Sequence, residues 1–317
     1  MTGGPSPAAD AGFFHAHALR HAAVMYDDAD VVAAHLRDEI THDLRDGAAV
    51  LVCLSPSLAT TVIDDLDAPV ERLTVLPQDD RYAHPGHAMQ MLWTCARASN
   101  ASGAPYLHSI GEIGFTGGAS DAMWHWYESA VNEVFGGSAL RATCLFDTQR
   151  LPDGVLESAL VTHPLLDSGD GRLPSAQYAA PSRDDIGPAP LRPPVRKEDL
   201  WLTRVDNTGV LRRAIREHGH ALTPAVLASA LLVASELGSN AIKYGDGTAD
   251  ARLWFHEGQM EIEVSDRGPG VFDPYALLRP PDLPMRGAGL WLAHLNSLAM
   301  SLEPGPLGGT VARAVVG

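Results

Sequence analysis

The chain has 317 residues, 45% of them hydrophobic, and a formal net charge of −16 at pH 7. This length is enough for about two domains with substantial cores. The acidic balance disfavours a general nucleic-acid-binding surface, because such binding depends on Lys and Arg that neutralise phosphates. We find no stretch approaching the roughly 20 apolar residues of a membrane span, and no secretory signal. We therefore predict a cytoplasmic protein without a membrane or direct nucleic-acid partner.

The cysteines and histidines show no metal-binding spacing. Cys53, Cys95 and Cys144 are odd in number, far apart and without a C-x-x-C pair. Such spacing predicts neither a disulfide framework nor a zinc site, so we expect small buried hydrophobic residues. None of the fourteen histidines forms H-E-x-x-H or another recognisable ligand spacing.

A proline- and glycine-rich stretch divides the chain. Apolar periodicity disappears over residues 169–197, a composition typical of a semi-extended linker. We predict a disordered tail at residues 1–12, a first domain at 13–168, the linker at 169–197 and a second domain at 198–317.

The first domain alternates apolar strands and helices. A buried strand is predicted from Ala48 to Leu54, followed by a tight loop and a helix entered through Ser57. This arrangement cradles phosphate in P-loop proteins, but the loop lacks G-x-x-x-x-G-K-[ST]. Further strands ("ERLTVLP", "LRATCLFD") alternate with helices, which predicts an α/β layered domain of P-loop-like topology without the P-loop motif.

The second domain combines helices with hairpins. After a first helix, "NTGVLRRAIREHG", Thr223 and Pro224 begin a longer helix that ends at Gly245. A hairpin turns at Glu257 and Gly258, a third helix opens with "GAGLWLAHLNSLA", and another hairpin ends the sequence. Helices on one face of a mixed or antiparallel sheet predict a two-layer α/β sandwich.

The longer helix contains a carboxylate and a carboxamide on one face. Glu236 and Asn240 are four residues apart, beside Lys243. Glu128 and Asn132 have the same spacing with no phosphate-binding motif after them. Spacing alone therefore favours a solvated helix face for Glu236 and Asn240. Whether they belong to a nucleotide site depends on the motifs that follow them in the sequence.

The next strand places a carboxylate among apolar side chains. Its apolar residues should face the helices; these are Met260, Ile262 and Val264. The residues that alternate with them should face water; these are Glu261, Glu263 and Ser265. Asp266 has the same parity as the apolar residues, and burying its carboxylate among them is costly unless the carboxylate is hydrogen-bonded. Gly268 and Gly270, just after it, permit close approach of another group to the backbone. Either a buried purine amino group satisfies Asp266 or the residue initiates a turn.

Two further glycine motifs complete the series. Gly287 and Gly289 stand at a predicted helix start, where free N–H groups favour phosphate. The segment before them, "VFDPYALLRPPDLPM", is irregular, as expected of a lid. "GGT" at residues 308–310 lies in the last hairpin.

The ordered motifs resemble the GHKL ATPase superfamily. Within it, "SELGSNAIKYG", "SDRGPG" and "RGAGLWL" are most similar to the anti-sigma-factor serine kinases of bacterial stress-response and sporulation switches, over about residues 200–317. The resemblance implies ATP and Mg²⁺ as cofactors, with Asn240 as the Mg²⁺ ligand, Asp266 accepting from the adenine amino group and Glu236 as the catalytic base. The other nucleotide-binding residues that we predict are Lys243, Gly268, Gly270, Arg286, Gly287, Gly289, Leu290 and Thr310. The family often has histidine where Tyr244 stands, a position that we interpret as packing.

The first domain resembles the MEDS sensory domain, which is found joined to such kinases in actinobacterial sigma-factor regulators. The resemblance rests on "GEIGFTG", "WYESAVNEVF" and "CLFDTQRLPDGVLESALVTHP" and covers about residues 13–166. It implies sensing of a small organic molecule. Candidate pocket residues are Glu112, Glu128, Asn132, Cys144, Asp147 and His163, although a capping or core role is favoured for each.

The resemblance implies an ATP-dependent serine kinase that regulates transcription. It would phosphorylate a STAS-type anti-anti-sigma protein, sequester a sigma factor, and form a homodimer. One alternative is an anti-sigma module that binds nucleotide without transferring phosphate, and another is a ligand sensor whose kinase fold is only a scaffold. An atypical histidine-kinase-like sensor would need a phosphoacceptor histidine on a long hairpin, whereas His218 and His220 lie at a helix end.

Overall fold

The computed structural model describes residues 19–64, 66–78, 84–114, 119–167, 171–180, 190–270, 273, 275–281, 288–306 and 308–317, with the backbone alone for residues 119–122. The tail predicted at residues 1–12 lies outside these ranges. The chain divides into two compact units, Met1–Ser182 and Arg183–Gly317.

The first unit is built on a seven-stranded sheet of order β3-β2-β4-β5-β1-β6-β7. Its strands are β1 (Arg20–Tyr26), β2 (Ala49–Cys53), β3 (Leu73–Val75), β4 (Leu107–Glu112), β5 (Leu140–Asp147), β6 (Leu165–Asp167) and β7 (Arg172–Pro174). The described helices are α1 (Ala29–Arg45), α2 (Pro56–Ile63), α3 (Pro85–Ala101), α4 (Ala119–Phe135) and α5 (Asp153–Thr162). Strands β1 to β6 pair in parallel, and β7 pairs antiparallel with β6. The predicted α/β layered fold is confirmed.

Helices cover both faces of this sheet. Leu36 of α1 and Val62 of α2 pack in one core with Leu145 of β5. The next residue of β5, Phe146, packs with Val155 of α5 in a second core. Because successive strand residues face opposite sides, the two cores lie on opposite faces. Burial on both faces also explains why β2, Ala49–Cys53, is a continuous apolar run.

Carboxylates occupy the helix entrances where a P-loop protein would hold phosphate. Asp28, between β1 and α1, accepts hydrogen bonds from the backbone N–H groups of Asp30 and Val31. After β2, the backbone N–H of Ser55 donates to Glu112 Oε2 over 2.7 Å. Donors at both entrances are therefore satisfied by negative side chains, a physical reason why the topology occurs here without the phosphate-binding motif.

A buried aspartate on α1 links the amino ends of two strands. Asp43 accepts from Tyr106 Oη and His108 Nδ1, each over 2.5 Å, and from Arg141 Nη1 over 2.9 Å. Burial alone would raise the pKa of Asp43, but its hydrogen bonds with His108 and Tyr106 and the charge of Arg141 lower that pKa below the usual range. The stabilisation is thus fully present above the ordinary aspartate pKa and is lost as pH falls through the lowered value.

Replacing Asp43 by asparagine should lower the free energy of unfolding at neutral pH by about 1–3 kcal/mol, because an amide NH₂ would then face a buried donor. Urea denaturation at pH 7 measures the difference. The control is Asp46→Asn, at the exposed end of α1, which should change stability by less than about 0.5 kcal/mol. Equal effects of the two substitutions would contradict the role assigned to Asp43.

The second unit is a five-stranded antiparallel sheet of order β11-β12-β10-β9-β8. Its strands are β8 (Leu200–Val205), β9 (Ala249–His256), β10 (Gln259–Ser265), β11 (Ala299–Pro304) and β12 (Thr310–Val316). Its described helices are α6 (Thr208–His218), α7 (Pro224–Tyr244) and α8 (Gly289–Leu295). Helix α7 packs against α6, α8 and the sheet. The predicted two-layer α/β sandwich is confirmed.

Local signals predicted several boundaries correctly. Thr223 caps α7 by accepting from the N–H of Val226, and Gly245 follows the last helical residue. Glu257 and Gly258 both have positive φ, 46° and 79°, as a two-residue type I′ hairpin requires. Helix α8 is shorter than predicted, because the chain enters β11 at residue 299. Strand β8 was not predicted.

One prediction of solvent exposure on β10 is wrong. Glu263 was expected to face water but is only 8% exposed. It accepts from Arg313 Nε over 2.8 Å and pairs with Arg252 at 3.4 Å. Arg313 also donates to the backbone carbonyl of Leu191, so the segment before β8 lies against this face of the sheet and covers it.

Helix α7 is also long and apolar enough to cross a membrane by length and composition alone, contrary to the sequence analysis. It packs within the sandwich, where Val233, Ala234 and Leu237 are buried. The described residues include no second helix of this kind.

Candidate functional site

A cavity of about 380 Å³ lies between α7 and the sheet of the second unit. It is lined by Leu237, Asn240, Ala241, Tyr244, Val264, Asp266, Pro269, Gly270, Gly289, Leu290, Leu302, Thr310 and Ala312. Six of these are predicted nucleotide-site residues, from four separate motifs. Most of the others are apolar, which gives the cavity hydrophobic walls and few polar groups, as small-molecule sites usually have.

Asp266 is held rigidly at one side of this cavity. Its Oδ1 accepts from the backbone N–H of Gly268 over 2.8 Å and from that of Thr310 over 3.3 Å. Its own N–H donates to the carbonyl of Thr310 over 3.0 Å. Among the described residues Oδ2 makes no hydrogen bond, so it remains available to a donor in the cavity. The aspartate therefore both initiates a turn and lines the cavity.

Glycines surround Asp266 because side chains would not fit. A Cβ on Gly309 would lie 2.1 Å from the Asp266 carbonyl oxygen, and one on Gly245 would lie 2.8 Å from Asp266 Cβ. A Cβ on Gly268 would lie 2.4 Å from the carbonyl oxygen of Tyr244. The end of β10, the end of α7 and the last hairpin thus meet at van der Waals distance. Gly245 was predicted only as the helix end and Gly309 had no predicted role, although the "GGT" triplet could have indicated it.

Glu236 and Asn240 meet the start of α8. A Cβ on Gly289 would lie 2.6 Å from Glu236 Oε2 and 3.4 Å from Asn240 Nδ2. Both side chains are half-buried rather than fully solvated, and Asn240 lines the cavity. Gly289 therefore allows α8 to approach the face of α7 that bears the carboxylate and the carboxamide.

Other predicted positions are placed differently. Arg286 and Gly287 lie outside the described residues. Lys243 is exposed, and its Nζ donates to Tyr244 Oη over 2.9 Å. Tyr244 was expected to pack, but it is 59% exposed and lines the cavity. The segment predicted as a lid is described only at residues 273 and 275–281, where Leu278 is buried.

The described residues fit an adenine nucleotide with Mg²⁺. The apolar walls suit a purine, and the fixed carboxylate of Asp266 can accept from an amino group. Mg²⁺ prefers oxygen ligands and is often bound through one or two protein groups plus substrate phosphates. The amide oxygen of Asn240, at the cavity wall, can serve as such a ligand.

The predicted sensory residues of the first unit separate into two groups. Glu128, Cys144 and His163 come together with His21, and Asn132 lies beside them. His21 was missed because the strand that carries it, β1, was not predicted. All four clustered residues are buried.

Glu112 and Asp147 lie instead at the carboxyl ends of β4 and β5. Tyr26 Oη donates to Glu112 Oε1 over 3.2 Å, and Asp147 Oδ1 accepts from the backbone N–H of Gln149. Burial, together with the charges of Glu112 and Asp147, raises the pKa of Tyr26 above its usual range. This group therefore holds a neutral tyrosine between two acidic side chains.

Comparison with known families agrees with this division. Residues 20–164 match the MEDS family, described as the methanogen/methylotroph DcmR sensory domain. Residues 202–312 match the histidine kinase-like ATPase domain. No curated protein is significantly similar to the chain. The chain therefore contains a MEDS domain followed by an ATPase domain of the GHKL type, and such a domain implies ATP binding.

Proposed function

We propose that the protein is an ATP- and Mg²⁺-dependent serine kinase that acts on an anti-anti-sigma protein and sequesters a sigma factor in the cytoplasm. The observation that supports this most strongly is that Asn240 and Asp266 line the same cavity. Glu236 lies on α7 with Asn240, and both side chains lie close to Gly289 at the start of α8. This proximity supports Asn240 as the metal ligand, Asp266 as the adenine acceptor and Glu236 as the base.

Phosphoryl transfer requires positioning and charge stabilisation more than covalent chemistry by the protein. Asp266 holds the base of the nucleotide, and the glycines around it permit that close approach. Asn240 would hold Mg²⁺, which would neutralise part of the phosphate charge. Glu236 would accept the proton of the attacking serine hydroxyl, whose oxygen forms a bond to the γ-phosphorus of ATP as the bond from that phosphorus to the leaving ADP breaks. The half-buried position of Glu236 keeps its carboxylate near the site and limits its exposure to bulk water.

The MEDS domain supplies the regulatory input in this proposal. A small organic ligand bound there changes the activity of the kinase domain, provided that the ligand has different affinities for two states of the full chain. The predicted linker, residues 169–197, permits such states, although its described part includes β7. Domain boundaries at residues 13, 168 and 198 remain predictions.

Transfer from labelled ATP tests the proposed function. The full chain is incubated with Mg²⁺, labelled ATP and candidate STAS-type proteins, and we expect label on a serine of one of them. Label on a histidine of the chain itself would instead indicate a histidine-kinase-like sensor. ATP binding without transfer to any candidate would indicate a nucleotide-binding anti-sigma module.

Replacing Asp266 by asparagine should weaken ATP binding about 10–150-fold. A charge-assisted hydrogen bond in a dry pocket contributes about 1.5–3 kcal/mol, and an amide oxygen accepts a weaker one. Fluorescence titration with a labelled ATP analogue measures the change, and GTP should bind negligibly to both proteins. The control is Asp250→Asn on β9, outside the cavity lining. Unchanged ATP affinity in Asp266→Asn would leave the residue with only a structural role.

A further inference from the structure

Four potential metal ligands meet in the interior of the first unit. His21 on β1, Glu128 on α4, Cys144 on β5 and His163 after α5 place one ligand atom each within 4.8 Å of the others. All four side chains are buried, and His163 is fully inaccessible. The ATP site does not involve them, since every residue lining its cavity lies in the second unit.

The hydrogen bonds around the cluster orient both imidazole rings. Asn132 Nδ2 donates to the carbonyl of Thr162 over 2.8 Å, which turns its amide oxygen toward His21 Nδ1 at 3.0 Å. His163 Nδ1 lies 2.9 Å from the carbonyl of Ala159. Both Nδ1 atoms must therefore donate, which leaves the lone pairs of both Nε2 atoms facing the cluster.

These lone pairs face other electron-rich atoms. His21 Nε2 is 3.2 Å and His163 Nε2 is 3.7 Å from Glu128 Oε2. Neither His163 Nε2 nor the other carboxylate oxygen, Glu128 Oε1, has a hydrogen-bond partner among the described residues. A single proton between His21 and Glu128 would leave His163 unsatisfied, whereas one cation at the centre can satisfy all of them.

We propose that His21, Glu128, Cys144 and His163 bind one zinc ion. Four of the six distances between ligand atoms are already near those of a tetrahedral site: Cys144 Sγ lies 3.6 Å from His21 Nε2 and 3.8 Å from Glu128 Oε2, and the two histidine Nε2 atoms lie 3.2 and 3.7 Å from Glu128 Oε2. Ordinary zinc bond lengths of about 2.0–2.3 Å place neighbouring ligand atoms of a tetrahedron about 3.3–3.6 Å apart. Small movements therefore complete the site.

The charges and the supporting contacts agree with zinc. A Cys144 thiolate and a Glu128 carboxylate together balance the charge of Zn²⁺, so the buried site with its metal carries no net charge. The thiol proton of Cys144 is released when the metal binds. Asn132 and the carbonyl of Ala159 hold the two histidines from behind, as outer-shell groups commonly do for metal-bound imidazoles. With four protein ligands, the site is structural: it ties β1, β5, α4 and the end of α5 together.

Metal content of the full chain tests this proposal. The protein is produced without a histidine tag under reducing conditions with added zinc, and one zinc ion per chain is expected by elemental analysis. Cobalt reconstitution should give the visible bands of tetrahedral Co²⁺ and a thiolate-to-cobalt charge-transfer band. Absence of bound zinc and of cobalt bands in the folded wild-type chain would overturn the proposal without the need for any variant.

Substitutions locate the metal. Cys144→Ser should abolish the charge-transfer band, and Asn132→Ala should weaken zinc affinity about 10–100-fold, the usual effect of losing an outer-shell partner. The matched control is Cys53→Ser, a second buried cysteine of the same sheet, which should bind one zinc ion normally. Circular dichroism checks folding of each variant. Loss of metal in Cys53→Ser together with an unchanged cobalt spectrum in Cys144→Ser would contradict the assignment.

Discussion

Replacing Glu236 by alanine is expected to slow phosphorylation of the anti-anti-sigma serine by about 10²–10⁴-fold, the usual effect of removing a positioned general base. ATP binding should be retained, because Asp266 and Asn240 line the cavity and Glu236 is not among its lining residues. Binding of the sigma factor should also be retained. Single-turnover transfer from labelled ATP separates the chemical step from nucleotide binding.

The matched control is Glu217→Ala, which removes an exposed carboxylate from α6 in the same unit and should not affect transfer. Glu128→Ala is unsuitable as a control despite the same Glu-x-x-x-Asn spacing, because Glu128 is buried beside two histidines. Transfer at the wild-type rate by Glu236→Ala would show that Glu236 is only a helix residue and that the base is another group.

Replacing Asn240 by alanine is expected to remove the Mg²⁺ dependence of ATP binding and, with it, all transfer. The side chain lines the cavity, so its amide oxygen would be available there as a Mg²⁺ ligand. The measurement is ATP affinity with Mg²⁺ and with a chelator, which should become equal in the variant.

Ser239→Ala provides the control, because Ser239 is the exposed neighbour of Asn240 on α7 and does not line the cavity. Its ATP affinity should still rise with Mg²⁺. If Mg²⁺ strengthens ATP binding by Asn240→Ala as much as by the wild type, Asn240 is not a metal ligand.

Much of the second unit could be predicted because its signals are local. Thr223, Pro224 and Gly245 mark the ends of one helix, and Glu257 with Gly258 marks a hairpin. Strand parity also placed Asp266 correctly on the side of the cavity. By contrast, Glu263 is buried because the segment at Leu191 covers that face of the sheet. Strand parity predicts which face a residue is on, but not whether another segment covers that face.

The histidine and cysteine cluster of the first unit could not be predicted for a related reason. Metal-binding motifs are recognised by short spacings, whereas His21, Glu128, Cys144 and His163 belong to four separate parts of the chain. Their convergence follows from the parallel pairing of β1 with β5 and from the packing of α4 on the same face. Only the assembled fold places these side chains together.

Calorimetric titration of the full chain with ATP measures directly whether the cavity of the second unit binds the nucleotide. Titrations with Mg²⁺, without Mg²⁺ and with GTP are compared with the same titrations of Asp266→Asn. We expect saturable binding of one ATP per chain, which Mg²⁺ strengthens, which is selective over GTP and which the substitution weakens. Absence of ATP binding by the folded wild-type chain, or equal binding of ATP and GTP, would contradict it.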